Sequence, residues 1–235
     1  ACAEEIGDDL ASVARTGPGG RGSVAARKAT DRLARNGLEL LPRLLEAMDT
    51  DNIVAANWYR TVYETITRRE LARDPVPEFP VSFLKTYIAN PKRQGRVRRL
   101  VLDLVDRLEP GTTAALIPGM LADPEFRDEA VAVALSRGDR AKQAGQTAEA
   151  IGEYRKAFRS ARNPGQVGTA ANKLKGVGQD VSVVTQMGFI THWHLLGPFD
   201  APGTTGFELV LPPEKQVVAG VDLKATFVGK GGGRI

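Results

Sequence analysis

Leu41-Pro42-Arg43-Leu44-Leu45, followed by Met48-Asp49, and Ile117-Pro118-Gly119-Met120-Leu121, followed by Asp123, are two copies of one pattern. Each is a short apolar run that carries a proline and ends in an aspartate-containing turn. A longer amphipathic segment follows each copy, Asn52 to Ala72 in the first case and Glu125 to Ala144 in the second. Between them, Leu84 to Ala89, the Asn90-Pro91 turn and Arg93 to Leu108 fill one more unit of the same kind. The spacing, about 35 to 40 residues, is that of helical hairpins, which cannot bury their apolar faces alone and therefore stack on their neighbours. The expected fold is mainly α.

Outward from these copies the helical rhythm continues. Glu4 to Arg15 carries Ile6, Leu10, Val13 and Ala14 on one helical stripe, and Gly17-Pro18-Gly19-Gly20 breaks it. Ser23 to Arg35 follows, with Asn36-Gly37 in the position of a C-terminal cap. Leu38 to Met48 reads as a short helix, after which Asp49, Thr50 and Asp51 offer a turn and an N-cap for the next. Pro75, Pro77 and Pro80 interrupt before Val81 to Ala89, and Pro110-Gly111 turns the chain into Thr112 to Leu121. A last helical pair is expected from Thr147 to Ala161 and from Pro164 to Lys175.

Residues 38 to 144 resemble HEAT-type repeats, in which a proline in the first helix and an Asp, then Arg or Lys, around the turn recur; Asp123 with Arg127 matches that pattern. The stretch Arg140 to Ala157 looks like a tetratricopeptide (TPR) hairpin, with Gly145 at the turn and Ala150, Tyr154 and Ala157 at packing positions. A single hairpin of that kind would cap the stack. The resemblance implies a HEAT/TPR-like α-solenoid of stacked helical hairpins over residues 1–178, with a short C-terminal β segment over 179–235.

The period changes after Gly178. Val181, Val183 and Val184 are β-prone, and strands are expected around Ile190 to Leu196, Glu208 to Leu211 and Ala225 to Val228. So few strands need something to lie on. Either they pack on the helices or they are the truncated start of a β-sandwich. Phe189-Ile190-Thr191-His192-Trp193-His194-Leu195-Leu196-Gly197-Pro198-Phe199-Asp200 resembles a segment of large uncharacterised exported proteins of planctomycete-type bacteria. In those, helical repeats precede a galactose-binding-like sandwich opened by a W-x-x-x-G-P-F strand, here Trp193 to Phe199. That resemblance implies an exported accessory or scaffold protein and no enzyme activity.

Composition narrows the function classes. With 42% hydrophobic and 26% charged residues the chain reads as globular, not disordered. A net charge of +4, with acids interspersed almost everywhere, permits an anionic partner without demanding one. The single cysteine, Cys2, rules out an intrachain disulfide. No apolar run approaches the roughly 20 residues that span a bilayer. The Ala1-Cys2 start reads either as what a cleaved export signal leaves or as a lipoprotein site with lipid on Cys2, and either gives the expectation of a periplasmic or cell-envelope location.

Neither a Gly-x-Ser-x-Gly elbow nor a phosphate loop occurs, so no catalytic residue and no cofactor are expected. His192 and His194 would share one face of a strand and could meet a metal with Asp200 or Glu208, though a lone His-x-His is usually structural. Lys92, Arg93, Arg96, Arg98 and Arg99 form a basic run in which Arg96 and Arg99 share a helix face. It reads either as a phosphate grip or as a solvated surface. Trp58 and Tyr59, with Tyr63 one turn on, line either a groove or the inter-repeat core. Trp193, with the loop from Asp200 to Phe207, would serve a carbohydrate. The expected role is a non-catalytic protein-interaction scaffold. The alternatives are a carbohydrate-binding accessory module and nucleic-acid binding through Lys92 to Arg99.

Overall fold

The computed structural model describes residues 3–191, and these are mainly helical. The chain divides into two compact units, Ala1–Val183 and Val184–Ile235. The first unit begins with α1 (Ala3–Ala14) and α2 (Ser23–Leu33), packed together across a glycine-rich turn. Gly22 in that turn has φ +74°, which favours glycine, and an added Cβ would also crowd the Arg15 carbonyl oxygen at 3.2 Å. Next come α3 (Leu41–Met48) against α4 (Ile53–Leu71), then α5 (Val81–Ala89) against α6 (Gly95–Leu108). α7 (Thr112–Leu116) runs into a 3-10 turn (Ile117–Gly119) that packs on α8 (Arg127–Gln143). α9 (Thr147–Ser160) then packs on α8, and α10 (Pro164–Lys175) on α9.

Periodicity explains each buried face. In α3, Leu41, Leu44, Leu45 and Met48 recur at helical spacing and are all buried. Each buried leucine contributes roughly 1.5–3 kcal/mol. Pro42 sits in the first turn, where its missing N–H breaks no helical bond. In α4 the face Ala55, Tyr59, Val62, Tyr63, Ile66 is buried, while Thr61 and Thr65 face solvent and bond back to the carbonyls one turn earlier. In α6 Val97, Val101, Leu104 and Val105 do the same. One continuous core runs from Val13 to Ala130. Past it, Tyr154, Ala157, Phe158, Val167, Ala170 and Leu174 bury a separate patch among α8, α9 and α10. Gly145, at φ +74°, makes the α8–α9 turn expected of it.

The sequence-based expectations need correction at four places. Gly37 is extended (φ −97°, ψ −158°) and does not cap α2; the Asn36 side-chain amide donates to the Arg32 and Leu33 carbonyls instead. The N-cap of α4 is Asn52, whose Oδ1 accepts from the Ala55 N–H (3.2 Å), and not Asp49, Thr50 or Asp51. Val183 and Val184 belong to a single helical turn, α11 (Val183–Gln186), closed by the Phe189 N–H donating to the Val184 carbonyl (3.1 Å). No strand occurs among the described residues: with no partner strand beside it, a β-branched run has no ladder to join. Asp123 is paired with Arg98, while Arg127, in the first turn of α8, donates to the Ala122 carbonyl. The remaining strands expected within 192–235 lie outside the described residues.

Candidate functional site

The basic run is the first of the expected sites to be placed. Arg93 bonds Glu46 (2.5 Å) and Asp49 (2.9 Å), and Arg96 donates to the Thr50 carbonyl (2.6 Å). Arg98 is 1% exposed. It grips both oxygens of Asp123 (3.0 and 2.5 Å), donates to the Ile88 carbonyl (2.8 Å) and lies over the Phe126 ring. Arg99 bonds Glu125 (2.8 Å) and Glu129 (2.6 Å). The run is therefore largely committed within the protein. Burial alone would raise Asp123, but the hydrogen bonds and charge of Arg98 together with the Glu125 and Phe126 N–H groups outweigh it and hold the carboxyl below its usual range.

These bonds continue along one edge of the hairpins. Asn52 Nδ2 reaches back to the carbonyls of Ala14 (3.1 Å) and Thr16 (2.8 Å), which ties the α3–α4 turn to the α1–α2 turn. Asp49 accepts from the Gln94 N–H (2.7 Å), and Gln94 Nε2 donates to Asp51 (3.0 Å), which ties the α5–α6 turn to the α3–α4 turn. Arg98 then joins α6 to Asp123, ahead of α8. Three successive links of this kind thus join the first hairpins along that edge.

Trp58 and Tyr59 belong to the core rather than to an open groove. Trp58 is half-buried against the apolar cluster, and Tyr59 is buried with its hydroxyl donating to the Leu10 carbonyl (2.6 Å). His192, Trp193 and His194 lie outside the described residues. Among the described residues no group of three or more His, Cys, Asp or Glu is placed to hold a metal ion. No described helix is long and apolar enough to cross a membrane.

A wide concavity lies between α4 and α6. It is a cleft of about 590 Å³ whose walls include Arg60, Arg68 and Leu71 on α4 and Leu100, Asp103 and Arg107 on α6. Toward the N-terminal ends of the two helices a small hollow of about 50 Å³ borders Arg60 and Leu100, with Asn57 and Arg96 beside it. Tyr63 lines the large cleft. It is 2% exposed, and its hydroxyl is buried with no hydrogen-bond partner among the described residues. Burial pushes the phenol well above its ordinary range; the nearby Asp103 adds to the rise and Arg107 opposes it. Arg60 is paired with Glu64 (2.7 Å). Arg68 and Arg107 are exposed, and among the described residues neither has an ion-pair partner.

Two other hollows are less distinctive. One of about 480 Å³ between α8 and α9 is walled by Arg137, Arg140, Glu149 and Glu153; another of about 280 Å³ lies beside Leu38, Pro42, Phe79 and Pro80. Neither contains a buried side-chain polar atom left without a partner. The α4–α6 cleft therefore stands apart chemically. It is lined by Tyr63, by leucines and by two guanidiniums that have no ion-pair partner among the described residues. Its Glu64 is already bonded to Arg60. Among the described residues this lining sets no nucleophile beside a base. Sequence reasoning did not find it. Arg68 and Arg107 are far apart in the chain, and each alone reads as an ordinary cation in the last turn of its helix.

No protein-family model, curated protein or solved structure matches the chain.

Proposed function

We propose that this chain is a non-catalytic protein-interaction scaffold, an α-solenoid of HEAT-like hairpins closed by a TPR-like pair. The α4–α6 cleft is the surface it offers to a protein partner. The observation that carries this reading is the cleft itself, where leucine walls and uncommitted arginines flank a buried hydroxyl that has no partner. The turn-to-turn bonding supports the solenoid, because it repeats at successive hairpins along one edge. Phosphate-backbone binding through Lys92 to Arg99 draws less support, since Arg93, Arg98 and Arg99 are already neutralised by carboxylates.

The test is site-specific photo-cross-linking in the cells that make the protein. A photoreactive residue at Ala72, in the cleft wall, is compared with one at Ser82, exposed on α5. Discrete protein adducts at Ala72 and not at Ser82 are expected. Equal labelling, or none at Ala72, overturns the scaffold reading.

A further inference from the structure

We infer that the α4–α6 cleft receives an acidic peptide segment, one in which Glu or Asp side chains alternate with apolar ones. The inference rests on the scaffold reading above and names its ligand chemistry. In it, Arg68 and Arg107 meet a peptide carboxylate and the Tyr63 hydroxyl donates to it.

The strongest observation is Tyr63. Buried polar side chains almost always find a partner, and a hydroxyl left without one carries a desolvation penalty that phenylalanine would avoid. Tyr63 is one of the residues that line the cleft, so a small shift of its ring as a ligand enters would bring the hydroxyl to the acceptor it lacks. Arg107 acts electrostatically on Tyr63, which puts a guanidinium close to the same spot. A carboxylate oxygen suits this environment, because it accepts from neutral and charged donors at once.

The second observation is how the arginines of these two helices are used. On α4, Arg60 is paired with Glu64, and Arg69 with Glu70. On α6, Arg96, Arg98 and Arg99 are all bonded within the protein. Arg68 and Arg107, which wall the cleft, are left over. Their place in the last turns of their helices gives them a modest macrodipole role, but that role uses no hydrogen-bond donor.

The third observation selects a peptide over a polyanion. Asp103 and Glu64 share the walls with the arginines, so a ligand carrying a charge at every step would meet like charges. Leu71, Leu100 and Leu104 supply apolar surface between the charged positions, which a phosphate backbone cannot use. Isolated carboxylates separated by leucine-like side chains satisfy both.

The probe is a bead-bound random octapeptide library, screened with the full chain and with an Arg68→Gln/Arg107→Gln double variant. Bound sequences should be enriched in Glu and Asp interspersed with Leu, Ile or Phe. The double variant should bind the enriched peptides about ten-fold or more weakly, and substituting their Glu by Gln should do the same. Tyr63→Phe should weaken binding about three- to ten-fold while the free protein melts no lower than wild type. A structural role for Tyr63 would lower the melting point instead. Selection of peptides with no acidic excess, or with equal affinity for the double variant, overturns the inference. A single-stranded oligonucleotide that binds in an Arg68- and Arg107-dependent way, while the peptides do not, overturns it in favour of phosphate. If no peptide binds yet Ala72 adducts form in cells, the inference falls and the scaffold stands. If peptides bind as expected and no adduct forms, the site chemistry stands and the cellular role falls.

Discussion

Replacing Gly138 by alanine is the sharpest test of how α8 and α9 fit together. In an ordinary helix interior this change is favourable by about 1 kcal/mol, because glycine pays extra backbone entropy. Here a Cβ would lie 2.4 Å from Tyr154 Cε1 and 2.5 Å from Cδ1, against the roughly 3.5–4.0 Å of a normal carbon contact. The ring has little room to yield. It is 1% exposed, its hydroxyl donates to Asp139 (2.8 Å), and the Lys173 ammonium that lies over it also bonds Asp139 (2.6 Å). Overpacking of this kind costs about 1–3 kcal/mol, and a loosened Tyr154–Asp139 bond about 1 more. The net expectation is a destabilisation of about 1–3 kcal/mol. Gly152, inside α9, is the control: no atom lies within 4 Å of its added Cβ, so Gly152→Ala should stabilise by about 0.5–1 kcal/mol. Urea unfolding of both variants measures the difference. If Gly138→Ala stabilises as much as Gly152→Ala, the close approach of the two helices is wrong.

Four further outcomes follow from the same contacts. Arg98→Met strands the Asp123 carboxylate and the Ile88 carbonyl and should cost about 3–5 kcal/mol in a denaturant titration; Arg98→Lys should rescue little of it, lacking the two-pronged grip. Asn52→Ala removes the α4 N-cap together with the bonds to Ala14 and Thr16, and should lower unfolding free energy by about 1–2 kcal/mol. Tyr63→Phe, by removing an unsatisfied hydroxyl, should leave the melting temperature unchanged or raise it, read by calorimetry without ligand. Asp123, Glu129 and Asp139 are all held below their ordinary values. Their stabilisation is therefore complete above the unfolded-state values of about 4 and drains as pH falls through the depressed folded ones, so melting temperature should drop on acidification below about pH 4. The Asp139 share should vanish in Asp139→Asn, whereas an acid limb of undiminished size would place it elsewhere.

The helices were largely legible because their signals are local. Val81 to Ala89 and Pro164 to Lys175 were bounded by prolines and turn residues, and α5 and α10 have those limits. Errors arose where a residue had two physical options. Asn36 could supply either a left-handed cap or a side-chain bond to the last carbonyls, and the side chain prevailed. Val183 and Val184 favour strands, but a strand requires a partner that local sequence cannot supply. The basic run is the clearest case of information missing from the chain order. Its arginines look alike side by side, yet Arg93 turns to Asp49, Arg98 to Asp123 and Arg99 to Glu129, before and after it in sequence. The candidate cleft was hidden for the same reason. In the sequence Tyr63 reads as a packing aromatic, and its place beside a cleft depends on α6, a whole hairpin away.

The bonds between successive turns use a different chemistry each time. An asparagine amide reaches two carbonyls at the first joint. At the second, an aspartate takes a main-chain N–H and an arginine, and at the third a buried arginine holds an aspartate at both oxygens. Keyed joints of this kind make each hairpin fit only its own neighbour. An array of identical joints could grow by gene duplication, or be shortened by deletion, with every new seam already complementary. This one could not. A copied α5–α6 hairpin inserted after the original would leave Arg98 of the first copy facing an asparagine-proline turn with no Asp123, burying a guanidinium without its counter-charge. The order of the hairpins between Ala3 and Gln143 is therefore written into the residues of their turns as well as into their apolar faces.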